Sequence, residues 1–179
     1  MLIADAPAKV NLVLEVLERK ETHHRISSIA QTIDLCDTLT FEPSPSLAFT
    51  CSEPSLTDDN LVMRAARLMQ ERFGSREGAR IHLEKRIPWG AGLGGGSSDA
   101  ATALRSLNEL WAVGATQRKL QALGAELGSD VPLFLQGGTV LVEGRGELTT
   151  PLSDHPVMHL VIVVPSIPPP AGKTGLMYR

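Results

Sequence analysis

The sequence predicts an α+β domain, on three observations. The first forty residues alternate apolar and polar side chains with a period of two, the middle carries apolar residues at helical spacing, and strand-like stretches return after residue 138. Strands that read as antiparallel, with helices between them, argue against a doubly wound parallel sheet. The 179 residues are 42% hydrophobic and 21% charged, a composition that can bury one core and excludes fibrous and disordered classes.

Ala8 to Glu18 reads as a half-buried strand with Val10, Leu12, Leu14 and Val16 toward the core. Lys9 and Asn11 then share the opposite face, pointing away from that core. Ile26 to Leu35 and Thr38 to Glu42 continue the sheet, with Cys36-Asp37 as a tight link. Ser44 to Ser55 is mostly loop around a short strand, Leu47 to Cys51. Asp58-Asp59-Asn60 supplies a helix cap, and Leu61, Ala65, Leu68, Met69 and Phe73 follow on one face before Gly74 ends the helix. Arg80 to Arg86 alternates as a strand. A helix from Ser97 to about Ala112 follows, then another from a Thr116 cap to Leu127, stopped by Gly128. Thr139 to Glu143 and Leu160 to Val164 read as late strands, split by the turn at 144–146.

Charge and composition narrow the function. Seventeen Lys+Arg against twenty Asp+Glu give −3, so no bulk cationic field points to nucleic acid or an anionic membrane. No apolar run reaches the ~18–20 residues of a membrane span, and the N-terminus lacks the pattern of a secretory signal. Cys36 and Cys51 read as reduced thiols of a cytoplasmic protein, being too far apart for a C-x-x-C motif. His82, His155 and His159 have no ligand spacing, so no metal is assigned to the protein itself. The proline-rich stretch from Pro165 has the character of a linker. The expected organisation is one domain over 1–160, with 161–179 opening a linker and a second domain that is cut short.

The most informative segment runs Pro88, Trp89, Gly90, Ala91, Gly92, Leu93, Gly94, Gly95, Gly96, Ser97, Ser98, Asp99. Five glycines fall within positions 90–96, between a strand and an amphipathic helix. Glycines let backbone amides approach an anion closely, and a helix N-terminus adds open N–H groups and a positive dipole end. A Walker A loop needs Gly-Lys-Ser/Thr at the helix start, and no lysine stands there. The string Gly90-x-Gly92-x-x-Gly95 matches the dinucleotide fingerprint by letter, but helix, turn and helix follow it where a second parallel strand is required.

This loop, with Pro7-Ala-Lys-Val-Asn-Leu12 before it and Gly128-Ser-Asp-Val-Pro-Leu-Phe134 after it, resembles the GHMP kinases. Asp59 to Ala66, Leu83 to Pro88 and Glu143 to Glu147 add supporting strings. The resemblance implies the amino-terminal domain of that family, an α/β two-layer fold like that of a ribosomal-protein domain, with the carboxy-terminal domain essentially absent. It implies ATP, with Mg2+ arriving on the nucleotide, and phosphorylation of an alcohol. The form of the loop and the Gly-Ser-Asp-Val-Pro string favour the branch acting on the 2-hydroxyl of a cytidine-diphosphate-linked methylerythritol.

Residue by residue, the resemblance implies catalytic roles for Lys9 and Asp130, the latter a general base; from the residues alone these are an exposed strand lysine and a helix cap. It places Pro88 to Ser98 on the phosphates and Asn60 and Lys85 at the adenine. Asn11 and His24 fall at the substrate, with His24 on the cytosine. His23 stands where the family has a stacking aromatic and Thr22 where it has a glycine; an imidazole stacks with less area than a phenol. Tyr178 resembles a second stacking aromatic, with Thr174 before it. Three alternatives stay open: another small-molecule kinase or decarboxylase of the family, a nucleotide-binding fragment without turnover, and an RNA-binding module, the last disfavoured by the charge.

Overall fold

The computed structural model describes residues 1–20, 23–57, 60–153 and 156–165, with the backbone alone at 19, 20, 23 and 24. One six-stranded mixed sheet carries a layer of helices. Its spine is β2 (His23–Ser44), paired antiparallel with β1 (Leu2–Lys20) on one edge. The opposite edge of β2 is shared. Residues 38–44 pair with β4 (Gly78–Glu84) and residues 26–31 with β5 (Thr139–Gly144). Beyond them lie β3 (Ala48–Cys51), parallel to β4, and β6 (Leu148–Pro151), antiparallel to β5.

The sheet is therefore split in its middle. Between β4 and β5, residues 32–37 of β2 have no strand on that edge, and the register slips opposite Pro7 and Lys9 on the other. This gap leaves room for a loop to approach the spine.

Helices α1 (Leu61–Phe73), α2 (Gly95–Leu110), α3 (Gln117–Leu127) and the short α4 (Val131–Gln136) cover one face. Central α2 touches β1, β2, α1, α3 and α4. Its Ala100, Ala101 and Ala103 let it press close to the sheet, and Leu104 and Leu107 share one buried core with Leu39, Phe41, Ile81 and Leu83. Each fully buried leucine or isoleucine contributes roughly 1.5–3 kcal/mol. Helix α1 starts where Asn60 Oδ1 accepts from Val62 N (2.8 Å) and ends at Gly74 in the left-handed region. Among the described residues no helix is long and apolar enough to cross a membrane.

The structure corrects three expectations. Cys36-Asp37 is not a link, because β2 runs unbroken through it. Asp37 lies on the same face as Leu39 and Phe41, and all three are fully buried. Along β1 the strict alternation fails. Register shifts at Pro7/Lys9, Asn11/Val13 and Val16/Arg19 rotate the strand, so Ala6, Ala8 and Lys9 are buried while Leu12, Leu14 and Val16 are exposed. Leu160 to Val164 pairs with no strand among the described residues and lies exposed. Strand β6 was not anticipated.

The backbone passes closest at Gly78, where a Cβ would stand 2.4 Å from Ser46 N and 2.5 Å from Ser44 O. Gly78→Ala forces backbone apart and is expected to cost about 1–3 kcal/mol. Gly74→Ala meets open space at φ +64° and loses roughly 1–2 kcal/mol from backbone conformation alone. Denaturant melts should show both costs, with a shifted β-sheet spectrum for Gly78→Ala only.

Candidate active site

Strand β4 ends at Glu84, opposite Thr38, and the chain then turns into the split of the sheet. Asp37 holds it there. Its Oδ1 accepts from Arg86 N (2.6 Å) and Ile87 N (2.8 Å), and its Oδ2 accepts from Lys85 Nζ. The far end of the loop is held by β1, where Lys9 N donates to Leu93 O (2.9 Å). Ala8, Ile87 and Leu93 form a small second core under the loop.

Between these anchors Gly90, Gly92 and Gly94 take φ values of 71°, 85° and 75°, which favour glycine over every other residue. Gly94 is the N-cap of α2 and offers no side chain to its amides, so the helix start faces a cleft of about 340 Å³ with its donors uncapped. Asn60, Leu61, Lys85, Pro88, Trp89, Gly90, Leu93 and the glycines 92 and 94–96 line it, together with Ser55, Leu56, Ile87 and Asp99. The size suits a small-molecule ligand.

Lys85 is no solvated strand charge. Its ammonium is buried between Asp37 and Asp99 Oδ2 (2.9 Å). Burial alone would lower its pKa, but the two carboxylates outweigh that and raise it. Burial pushes the Asp99 carboxyl up, and Lys85 pulls it back only in part, leaving it at about 7. Asp99 Oδ1 and Ser98 Oγ are buried without a hydrogen-bond partner among the described residues. Neither Asp37 nor Asp99 was read as functional. The signal lay in the odd-numbered run Leu35, Asp37, Leu39, Phe41, which puts a carboxylate in the core and so demands partners.

Lys9 and Asp130 do come together. Lys9 Nζ stands 3.9 Å from Asp130 Oδ2 and donates to Asn11 Oδ1 (3.2 Å). The expectation that Lys9 points away from the core is corrected, since the β1 bulge turns it inward until it is 9% exposed. Asp130 occupies the cap position of α4, yet its side chain makes no capping bond. The carboxylate is left free for Lys9. The two meet beside the loop: a Cβ on Gly94 would lie 3.1 Å from Lys9 Cγ and 2.6 Å from the Phe134 ring.

Other expected residues are placed differently. Asn60 lines the cleft with both ends of its amide engaged, by Val62 N and by Leu56 O (2.7 Å). Ala91, Ser97 and Ser98 do not line the cleft; Ser98 is fully buried, and Ala91 packs on the second core. His23 and His24 open β2 opposite Lys20 and Arg19, their side chains lying outside the described residues, as do Thr22, Thr174 and Tyr178. Cys36 and Cys51 are free, and burial raises both thiol pKa values, which makes them weak nucleophiles.

Asp99 makes stability depend on pH. With its folded pKa above the unfolded value of 3.8, the native chain binds the extra proton between pH 4 and 7, so stability falls as pH rises through that window. Asp99→Asn should remove the fall, gaining on the order of 2–4 kcal/mol over wild type at pH 8 relative to pH 4. Thermal melts of both chains across pH 4–8 check this.

Comparison with known proteins agrees with the geometry. Residues 60–138 match the GHMP kinases N terminal domain. A 4-diphosphocytidyl-2-C-methyl-D-erythritol kinase of Dehalococcoides mccartyi is 48% identical over 181 residues, covering 100% of this chain and 64% of its own length. The enzyme of that name from Gloeobacter violaceus is 46% identical, covering 88% of this chain and 53% of itself. This chain thus spans less than two thirds of the curated relatives it matches. A crystal structure of 4-(cytidine 5'-diphospho)-2C-methyl-D-erythritol kinase superposes with TM-score 0.74 at 44% identity, over 84% of this chain and 55% of that one. The mevalonate kinase of Methanococcus jannaschii, at TM-score 0.66 and 14% identity over 85% and 56%, shares the fold. The glycine loop that closes the split in the sheet lies inside the matched segment, and the chain belongs to the GHMP kinases, whose N-terminal domain it carries.

Proposed function

We propose that the cleft holds the triphosphate of ATP, and that the whole protein transfers its terminal phosphoryl group to the 2-hydroxyl of 4-diphosphocytidyl-2-C-methyl-D-erythritol. That places it in non-mevalonate isoprenoid precursor biosynthesis, in the cytoplasm, with small molecules and neither nucleic acid nor membrane as partners. One observation carries the reading: an uncapped helix start and a glycine loop open onto one cleft, and the pair of buried Lys9 and half-buried Asp130 stands beside the same loop at Gly94. The relatives of that name support the choice of substrate.

Phosphoryl transfer is mostly positioning and charge stabilisation. Asp130, relieved of capping, takes or guides the proton of the attacking hydroxyl. Lys9 steadies the oxygen as charge develops, and Asn11 orients Lys9 through its side-chain bond. The amides of Gly94–Gly96 grip phosphate oxygens, with Pro88–Leu93 framing the nucleotide and Ser97 and Ser98 completing the helix start. Asn60 and Lys85 border the base. Magnesium enters as part of the nucleotide substrate. His24 reads the cytosine, flanked by His23, Tyr178 and Thr174. Residues 1–160 form the nucleotide-binding unit, and 161–179 lead toward the next.

Two variants test this. Gly96 has ordinary φ, and a Cβ there meets only Leu61 at 3.8 Å. Gly96→Val should therefore weaken ATP binding at least about tenfold by obstructing the phosphate approach, with little change in melting temperature. Unchanged affinity in a calorimetric titration would falsify the phosphate assignment. In a coupled assay with saturating substrates, Asp130→Asn should lower turnover by about 10²–10⁴ and leave ATP affinity within about twofold. Turnover within about threefold of wild type rejects Asp130 as the base.

A further inference from the structure

We propose that Asp37, Lys85 and Asp99 form a proton-holding set beneath the phosphate loop, and that a polyanionic nucleotide entering the loop draws one proton onto Asp99. The inference rests on the nucleotide reading and adds a coupling that the reading does not contain.

The geometry argues it in three steps. First, the set touches the loop. Lys85 Nζ lies 3.2 Å from where a Cβ on Gly95 would stand, and Asp99, four residues on, shares that face of α2. Second, the set carries an excess negative charge when both carboxylates are ionised, one ammonium facing two of them in a buried site. A single proton brings it to neutral, and a nearby polyanion favours the neutral state.

Third, the proton has one place to go. Asp37 accepts two amides on Oδ1 and Lys85 on Oδ2, and each bond favours its ionised form. Asp99 accepts Lys85 on Oδ2 and has no partner for Oδ1 among the described residues. A buried, unbonded carboxylate oxygen is the costly one to leave charged.

Other charged groups around α2 are few at this corner. Strand β1 brings Lys9, already matched by Asp130 at the head of α4. Strand β3 brings the Cys51 thiol, whose pKa both Lys85 and Asp99 perturb. On β2, Asp34 is exposed, as is Asp5 on β1. Helix α1 meets the loop through Leu61, while its Arg64, Arg67 and Glu71 face solvent. On α3, Arg118 and Lys119 are exposed and Glu126 pairs with Arg72. Arg105 and Glu109 of α2 itself lie exposed toward its other end.

The test is ATP binding to the 179-residue chain and to Asp99→Asn from pH 6 to 8, at saturating magnesium. Wild-type affinity should fall about threefold to tenfold between pH 7 and 8, and the ratio to Asp99→Asn should carry that whole fall, cancelling any titration of the nucleotide. As a check independent of the variant's folding, calorimetry of wild type in two buffers of unlike ionisation enthalpy should show net proton uptake near pH 7.5. Parallel profiles for the two chains, or release in place of uptake, overturn the proposal and leave nucleotide binding standing. If neither chain binds ATP at pH 6, where Asp99 is already protonated, the nucleotide reading itself fails and the proposal falls with it.

Discussion

The carboxylate of Asp37 is the constraint on which the site depends. It is fully buried, and it accepts three hydrogen bonds, all from the three residues that follow β4. Those bonds turn the chain into the gap left between β4 and β5 on the edge of β2. Without them the chain after Glu84 has no reason to enter the split, and a naked buried carboxylate would cost several kcal/mol. One side chain thus converts a discontinuity in the sheet into a seat for a loop.

The electrostatics follow from that seat. Bringing Lys85 into the interior satisfies Asp37 and, one helical turn into α2, one oxygen of Asp99. The price of this economy is a lysine that is no longer a free cation for a ligand. In the function proposed here, attraction for phosphate is left to backbone amides, the helix start and Lys9. These are fixed dipoles and a half-matched charge, suited to holding a polyanion without trapping it.

Much of this was legible in the residues. The helices with caps at Asn60 and Thr116 and stops at Gly74 and Gly128 lie within a few residues of expectation, because capping and glycine act locally. Pairing of Lys9 with Asp130 followed from the family resemblance alone, since a β-bulge that rotates one lysine inward leaves no mark in a period-two pattern. Cys36-Asp37 misled for a related reason. Aspartate favours turns, and only the long-range demand of Arg86, Ile87 and Lys85 makes it a core residue of a strand. The apolar residues of outer β1 misled because periodicity reports two faces but not whether anything covers either.

The bond from Lys9 N to Leu93 O has a consequence for how the loop can vary in length. Asp37 pins the chain at residues 85–87 and Lys9 pins it at 93, so only the five residues 88–92 lie between the two pins. Both pins belong to strands of the same sheet, and the distance between them is set by pairing far from the loop. A residue inserted in this stretch has no slack to occupy, and one removed leaves the chain too short to reach both pins. Either change would pull Lys9 out of line with Asp130, because the amide that holds the loop and the ammonium facing the carboxylate belong to one residue. Here contour length, as much as composition, is under structural control.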